Sequence, residues 1–318
     1  MAQLDEWAKL EKDLVMKGVY TNILTADALT PLLKFKSFEG NSFVYNRESV
    51  NPTATSVATV GATFASTQPD FSKQTSALGL IYAQSDVHLY VKDTRGSVQD
   101  PEAVTISLLA KEVGRELARQ VVVGDSAVIS TEFNGLDKIC RTDTRMMAMD
   151  DGVVDGPGAA ETELTLDRLD AMIDQVDDGR SKPDCLVMNT TMRRKLTALS
   201  RVSGSGVVMN EIELYGHKVR TYDGVPIVIS NHISDSEQYA DSSTWTSSTA
   251  TTIFAVKLGE ENEGFTLIHN GSVLQPQHQR LAIPKNEHVE PHRLYIYVGS
   301  AMFSAKMVAA LGGIDSAA

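Results

Sequence analysis

The sequence predicts an α+β protein in which one long amphipathic helix stands between an extended arm and a mostly β C-terminal part. Three observations carry this prediction. Residues 49–79 are rich in Ser, Thr, Ala and Val with few large apolar side chains, so they cannot bury enough surface to form a core. Residues 101–123 carry an apolar stripe at helical spacing. Apolar runs of strand length follow at 253–257, 265–268 and 293–298.

The arm is far longer than an ordinary connection inside a compact domain. Its charged residues are Asp70 and Lys73, and its large apolar side chains are Phe64, Phe71 and Leu78. Its Thr and Val content and its alternating segments favour an extended ribbon over a coil. An extended ribbon without its own core is explained if it lies on another molecule. The arm therefore predicts an assembly protein.

Strand patterns flank the arm on both sides. Residues 42–45 lead into it, and residues 79–82 and 87–91 lead out of it, the last with alternating side-chain character. Residues 43–91 are therefore expected to form a hairpin-like excursion with a paired base and a loose tip.

The strongest helix signal of the chain follows the arm. Asp100 is a good N-cap, Pro101 suits the first helical position, and Glu102 complements the helix dipole. Gly124 is expected to end the helix as its C′ residue. One face is apolar, at Ile106, Leu109, Ala110, Val113, Leu117 and Val121. The opposite face is charged, at Lys111, Glu112, Arg115, Glu116 and Arg119.

The second half of the chain alternates shorter helices and strands. A helix is predicted over residues 165–179. A buried strand is predicted over residues 185–188, followed by a helix with its N-cap at Asn189 or Thr190. The pair Asp223-Gly224 between two apolar runs predicts a tight hairpin.

The composition is that of an ordinary globular protein, with 42% hydrophobic and 22% charged residues. A chain of 318 residues is long enough for two domains or for one large elongated domain. The net charge of −12 argues against tight or sequence-specific nucleic-acid binding, which needs clustered Lys and Arg. We expect no membrane association, because no apolar run is long enough to span a bilayer and the N-terminus does not resemble a secretory signal.

One motif raises the question of a metal site. His288 and His292 are four residues apart with Glu290 between them, but Pro291 interrupts any zinc-binding helix. On a strand, two His residues at this spacing need further ligands to hold a tetrahedral ion. The motif therefore predicts no metal site.

The sequence gives little support for a reactive cysteine or for a covalent crosslink between copies. Cys140 and Cys185 lack partner His or Cys residues at metal-ligand spacing, which indicates reduced, buried thiols. Lys73 can in principle form an isopeptide bond with an Asn of another copy, but no amide and acid partners can be identified. A lysine that keeps a strand edge soluble is the preferred interpretation. The sequence predicts no enzyme activity and no cofactor.

The order of these elements resembles the major capsid protein of tailed bacteriophages, which has the Hong Kong ninety-seven-type capsid fold. Four pairs of short sequence segments support the resemblance, because each pair is similar to a pair of segments in that family. The pairs are residues 124–126 and 133–136, 186–189 and 192–199, 214–219 and 223–227, and 253–259 and 264–267. The resemblance covers nearly the whole chain, and the collinear set is more specific than any single phrase.

The resemblance implies a division of the chain into five parts. They are an N-terminal arm (1–38), an extended loop (39–92), a spine helix with a peripheral domain (93–145), an axial domain (146–264) and return strands of both domains (265–318). It also implies that inter-subunit contacts involve the loop and the spine helix, at Phe64, Phe71, Lys73, Arg115 and Arg119.

The implied function is that of a structural subunit that forms hexamers and pentamers of an icosahedral phage head. Such a head encloses double-stranded DNA without sequence-specific binding, and it assembles in the host bacterial cytoplasm into the virion capsid. Because no long coiled-coil region precedes the arm, a separate scaffolding protein is expected, besides portal and decoration proteins. The crosslinking residues of the founding phage cannot be placed here. An encapsulin-like nanocompartment that encloses cargo enzymes is the alternative, and a soluble enzyme with a long lid is a third reading.

Overall fold

The computed structural model describes residues 28–40, 42–50, 68, 70–95, 101–148, 162–202, 210–214, 217–236, 250–259, 264–270, 276–284 and 288–316. The strands are β1 (Phe35–Phe38), β2 (Ser42–Val50), β3 (Asp70–Ala77), β4 (Gly79–His88), β5 (Met146–Ala148), β6 (Cys185–Met188), β7 (Asn210–Leu214), β8 (His217–Tyr222), β9 (Val225–Ile229), β10 (Ala250–Val256), β11 (Phe265–Asn270), β12 (Gln277–Arg280), β13 (Val289–Met302) and β14 (Val308–Asp315). The α-helices are α1 (Leu89–Arg95), α2 (Pro101–Val123), α3 (Leu136–Thr142), α4 (Leu166–Gln175) and α5 (Thr190–Val202).

Strands β2 and β3 form a two-stranded antiparallel ribbon, which we call the ribbon. Its register runs from Ser42 opposite Ala77 to Val50 opposite Asp70, with one irregularity near the far end. This pairing confirms the predicted extended base of the arm. The predicted tip, with Phe64, lies outside the described residues.

A five-stranded sheet is organised around β13, the longest strand, with 14 residues. Strand β4 pairs with β13 along one edge, and β12 and β11 pair with successive parts of the other edge. Strand β1 completes the sheet by a parallel pairing with β11. One face of this sheet packs on α2.

Helix α2 has the predicted bounds Pro101–Val123 and buries the predicted apolar stripe. The C-terminal end of the helix differs from the prediction, because Gly124 does not have the positive φ of a left-handed C′ residue. A Cβ at Gly124 would instead meet the carbonyl oxygens of Gln120 and Phe133 at 2.5 Å each. Glycine is required there for a close backbone approach and not for a positive φ.

The predicted strand over residues 87–91 is wrong in its second half. Strand β4 ends at His88 and helix α1 begins at Leu89. The Leu89 N–H donates to the His288 carbonyl at 3.1 Å, where the ladder with β13 ends. Helical geometry then brings Lys92 to acidic partners on α2 and β13. The ion pairs that Lys92 makes with distant residues favour a helix here, although the alternating side chains of residues 87–91 favour a strand.

A seven-stranded sheet has the order β5-β14-β10-β6-β9-β8-β7. The predicted hairpin is confirmed, and its turn has φ values of 48° at Asp223 and 82° at Gly224. Two of the predicted helix caps are confirmed as well, and the third, Asp100, lies outside the described residues. The Thr165 hydroxyl accepts from the Arg168 N–H, and the Asn189 side chain accepts from the Met192 N–H at 2.8 Å.

The buried side chains form two clusters. One joins α2 to the five-stranded sheet and to one face of the seven-stranded sheet, and the other joins the opposite face of the seven-stranded sheet to α4 and α5. Among the described residues, neither cluster includes a side chain of the ribbon. The ribbon therefore has no core of its own, as the sequence predicts.

Candidate assembly surface

The ribbon is fixed to the body of the protein through Arg47. Its guanidinium Nη1 donates to both carboxylate oxygens of Asp143, at 2.8 and 2.9 Å, and its Nε donates to the Met302 carbonyl at 2.7 Å. The Met302 N–H donates to the Tyr45 hydroxyl at 3.3 Å. Arg47 and Asp143 are both mostly buried. Charge-assisted bonds of this kind are about twice as strong as neutral ones, so they set the direction in which the ribbon leaves the body.

Aromatic contacts complete this anchor. The rings of Phe43 and Tyr45 lie 6.0 and 5.2 Å from the ring of Phe303, measured between centroids. The Lys36 ammonium lies 5.5 Å from the Phe303 centroid. Ser76 also donates a hydrogen bond to the Ser300 carbonyl. We call this side, with Phe43, Tyr45, Arg47 and Ser76, the anchored ribbon face.

The opposite side, which we call the open ribbon face, consists of Val44, Asn46, Phe71, Lys73 and Thr75. Val44 pairs with Thr75, and Asn46 pairs with Lys73, so these side chains project to one side of the two strands. All five are exposed, and the Phe71 ring is 61% exposed. The structure thus places the predicted residues Phe71 and Lys73 on one surface.

The charged face of α2 holds the other two predicted residues. Arg119 pairs with Glu116 at 2.7 Å and with Glu132 of the loop after α2. Hydrogen bonding from Arg119 holds the pKa of Glu116 below its ordinary value. Arg115 is more exposed and pairs with Glu112 at 2.5 Å. Both arginines are therefore already paired within the chain, and an inter-subunit role for them stays a prediction.

A groove of about 540 Å³ separates this charged face from β4. Its walls include Leu80 and Tyr82 on one side and Arg115 and Arg119 on the other. The structure does not bring these arginines next to the open ribbon face by any contact among the described residues. The predicted site residues therefore lie on two separate surfaces.

Sequence reasoning missed the outer face of the five-stranded sheet, which we call the tyrosine face. It consists of Leu80 beside Tyr297, Tyr82 beside Tyr295, and Arg293 beside Gln84. The Tyr82 ring is 60% exposed, Leu80 is 47% exposed and Tyr297 is 41% exposed.

The tyrosine face is held in place by contacts within the sheet. The Arg293 guanidinium lies 5.8 Å from the Tyr82 centroid and donates to the Gln84 side chain at 2.9 Å. The Tyr295 hydroxyl donates to Gln277 at 2.8 Å. A depression of about 400 Å³ lies over these residues. The sequence pattern around Tyr295 and Tyr297 predicted one strand of this face. The pattern could not show that β4, which lies far away in sequence, is its partner.

A cluster of ionisable groups lies on the inner side of this sheet. Glu290 is 1% exposed, and one of its oxygens lies 2.8 Å from the Lys92 ammonium while the other pairs with Arg280. Lys92 also lies 3.3 Å from Glu102 at the start of α2. Burial would raise the pKa of Glu102, but the Lys92 hydrogen bond and the charges of His292, Lys92 and Arg280 hold it below its ordinary value.

His292 is fully buried within this cluster. Its Nδ1 lies 3.0 Å from Nε2 of His278 and 3.8 Å from a Glu102 oxygen. Burial lowers the pKa of His292. Donor atoms of Glu102, Glu290 and His292 lie within 4.8 Å of one another. The two carboxylates are, however, already compensated by the Lys92 and Arg280 cations, so the arrangement fits an internal ion-pair network better than a metal site.

The two cysteines are confirmed as free and buried. Burial raises the pKa of Cys185 to about 12 and raises that of Cys140 as well. A thiol is a poor nucleophile in its protonated form. Both thiols are therefore protonated near neutral pH and packed inside the protein. Among the described residues, no helix has the length and apolar character needed to cross a lipid bilayer.

Comparison with solved structures gives the fold. The SrpI subunit of the holo-SrpI encapsulin complex from Synechococcus elongatus PCC 7942 matches with a TM-score of 0.63 and 16% identity, over 91% of this chain and 88% of that chain. The capsid of the native GTA particle matches with a TM-score of 0.61 and 15% identity, over 90% of each chain. A solved chain of Microbacterium phage Oxtober96 matches with a TM-score of 0.59 and 14% identity, also over 90% of each chain. The chain has the Hong Kong ninety-seven-type capsid fold.

A sequence comparison finds one protein family whose model matches part of the chain. Residues 165–316 match the model of a family described as type 2A encapsulin shell protein, SrpI-like. No curated protein sequence matches the chain significantly. The fold is thus shared with encapsulin shells and with phage capsids, while the family match lies within the second half of the chain.

Proposed function

We propose that the chain is a structural subunit that assembles with copies of itself into a closed icosahedral shell. The observation that carries this proposal is the ribbon, whose strands of nine and eight residues lie outside both buried clusters. One face of the ribbon is anchored to the body and the other exposes Val44 and Phe71. Apolar side chains on such a projecting element are explained by burial against another copy. The capsid fold supports this role.

Assembly follows from the anchored geometry. The ribbon of one copy lies over the helix or the sheet of its neighbour, and the neighbour's ribbon lies over the next copy. Such head-to-tail contacts form closed rings, here the hexamers and pentamers of a shell, when the rotation between copies allows it. Each contact is weak, but a closed shell makes many of them at once, so assembly depends steeply on concentration.

The content of the shell distinguishes two versions of this function. The family match over residues 165–316 favours an encapsulin-like compartment that encloses cargo protein. The similarity to the GTA and phage capsids favours the second candidate, a phage-type head that encloses double-stranded DNA. In that version the net charge of −12 suits a wall that does not bind DNA, and scaffolding, portal and decoration proteins are the expected partners.

Removing the arm tests the assembly proposal. Deletion of residues 53–76 is expected to give a folded monomer that forms no shells, because the buried clusters keep all of their side chains. Electron microscopy and light scattering measure shell formation, and thermal unfolding by circular dichroism controls for the fold. Shells of normal size and yield from the deletion variant would contradict the proposal.

The enclosed material tests the choice between the two versions. The chain is expressed with its neighbouring genes, and closed particles are purified after nuclease and protease treatment. A protected protein of one kind supports the compartment, whereas protected double-stranded DNA of uniform length supports the phage-type head. Expression of the chain alone shows whether a scaffolding protein is needed at all.

A further inference from the structure

We propose that the contact between His278 and His292 is a proton-operated latch, which holds strand β12 to the body at neutral pH and releases it when the pair takes up a proton. The latch lies where β12, β13, α1 and the first turn of α2 meet, beside Glu102 and Glu290. It is separate from the ribbon. The inference concerns the folded chain itself, so it goes beyond the proposed function and does not depend on shell formation.

The two imidazole rings are placed for one hydrogen bond between them. Nε2 of His278 lies 3.0 Å from Nδ1 of His292, and the two ring planes differ by 8°. A hydrogen bond between two ring nitrogens needs an N–H on one of them and a bare lone pair on the other. The neutral pair meets this requirement. A pair with an N–H on both facing nitrogens does not, because the two hydrogens then point at each other.

The second nitrogen of His292 determines which ring donates. His292 is fully buried, and its Nε2 has no hydrogen-bond partner among the described residues. Buried N–H groups without an acceptor are rare in folded proteins, so we assign the hydrogen of neutral His292 to Nδ1, which donates to Nε2 of His278. The pair also cannot accommodate a further proton by moving this hydrogen to Nε2 of His292, because that N–H would have no acceptor.

The charges around the pair are balanced before a proton arrives. The cations are Lys92 of α1 and Arg280 of β12, and they face the carboxylates of Glu102 on α2 and Glu290 on β13. Strand β4 contributes the uncharged Ser85, opposite the buried histidine. A proton on the pair therefore leaves this part of the protein with one positive charge in excess.

This environment opposes proton uptake while the latch is closed. Burial lowers the pKa of His292, and the Glu102 carboxylate at 3.8 Å opposes this only in part. The cations around the pair lower the pKa further. Glu102 is itself bound to the Lys92 ammonium at 3.3 Å. The closed pair therefore binds a proton more weakly than histidines in water do.

Strand β12 is the part that is able to move. It has four residues and, within the part of the chain that the structure describes, it pairs with β13 alone. Its other three side chains are exposed, and His278 is half-buried. Departure of β12 brings the protonated His278 ring into water, where its charge is solvated. Because the open state binds the proton more tightly, a fall in pH through the ordinary histidine value of about 6.5 favours opening.

Hydrogen exchange of the full-length chain tests the latch. Exchange is measured by mass spectrometry at pH 7.5 and 5.5, below the concentration of assembly, with labelling times scaled to the intrinsic exchange rate at each pH. We expect the protection of residues 277–281 to fall by about tenfold or more between the two pH values. One linked proton changes an equilibrium by up to about tenfold per pH unit, which sets this scale.

Two matched substitutions separate this pair from other histidines. In His278→Gln, the side-chain carbonyl accepts from Nδ1 of His292 but takes up no proton, so the pH effect on residues 277–281 is expected to shrink below about threefold. His269→Gln is the control, because His269 is also buried but lies on β11, outside this cluster. It is expected to leave that effect within about twofold of its value in the unaltered chain. Thermal unfolding at pH 7.5 shows whether each variant is folded.

Three results would overturn the latch. The first is equal protection of residues 277–281 at both pH values in the unaltered chain, a result that needs no variant. The second is the same pH effect in His278→Gln as in the unaltered chain. The third is stoichiometric zinc in the purified chain that is lost in His278→Gln, because a metal ion and not a proton would then bind between the rings.

Discussion

The ribbon and the hairpin of β8 and β9 are both antiparallel strand pairs, but they obtain their stability in different ways. The hairpin closes through a tight turn and continues into the seven-stranded sheet, where Tyr222 and Val225 are almost fully buried. The ribbon is joined to no third strand among the described residues and is held by Arg47 and aromatic contacts at its base. A strand pair that is stabilised only along one face keeps its other face available for a partner.

The largest expected difference between the two strand pairs is in folding stability. Tyr222→Ala removes a buried ring whose hydroxyl donates to Asp170 at 2.7 Å, and it is expected to lower the free energy of unfolding by about 3–5 kcal/mol. Phe71→Ala removes an exposed ring and is expected to change it by less than about 0.5 kcal/mol. Urea unfolding of the unassembled chain measures both. A large loss for Phe71→Ala would mean that the ribbon is part of the folded core.

A second prediction concerns the anchor of the ribbon. Asp143→Asn leaves the Arg47 guanidinium without its anionic partner, and we expect a loss of about 2 kcal/mol confined to the ribbon. Hydrogen exchange of the β2 and β3 amides measures this loosening, while the amides of α2 keep their protection. Glu112→Gln breaks an exposed ion pair and serves as the control, with an expected effect below about 0.5 kcal/mol. Equal exchange in both variants would contradict the anchoring role.

Acidification is expected to weaken the body beneath the ribbon. Burial lowers the pKa of His292 and of His269, so the folded state binds fewer protons than the unfolded state. Stability is then fully present above the unfolded pKa of about 6.5 and is lost as the pH falls below it. We therefore expect the free energy of unfolding to be lower at pH 5.5 than at pH 7.5.

Urea unfolding at the two pH values measures this loss. His292→Gln is expected to remove part of the pH dependence, and a further His269→Gln substitution is expected to remove more. An unchanged dependence in the double variant would show that other groups titrate.

The smallest expected effect is at Lys73. Lys73→Glu reverses one charge of the open ribbon face and is expected to raise the concentration needed for assembly about twofold to fivefold. Light scattering against concentration, at low and high salt, measures this change. An unchanged concentration dependence would show that Lys73 lies outside the contacts between copies.

The sequence predicts the elements whose signals are local. Helix α2, the turn at Asp223-Gly224, the cap at Asn189 and the ribbon all follow from spacing, capping chemistry or composition within a short window. The resemblance adds the order of elements, and the solved structures confirm the fold that this order implies.

The parts of the candidate site that depend on distant contacts were not predictable in this way. The tyrosine face exists only because β4 pairs with β13, which lies some two hundred residues later. The Arg47–Asp143 pair and the helical state of Lys92 likewise depend on partners from other elements. Arg115 and Arg119 were chosen from a charged helix face, and the pattern gave no sign that both have partners in the same chain.

Both cysteines of the chain are buried, and this has a practical consequence for assembled particles. A single cysteine introduced at an exposed position such as Val128, which is 79% exposed, provides a thiol that differs from the other two in access and in acidity. Maleimide reagents then attach one dye or one affinity tag to each subunit. If the proposed shell forms, the brightness of a single particle counts its subunits, and the particle carries a defined number of attachment points.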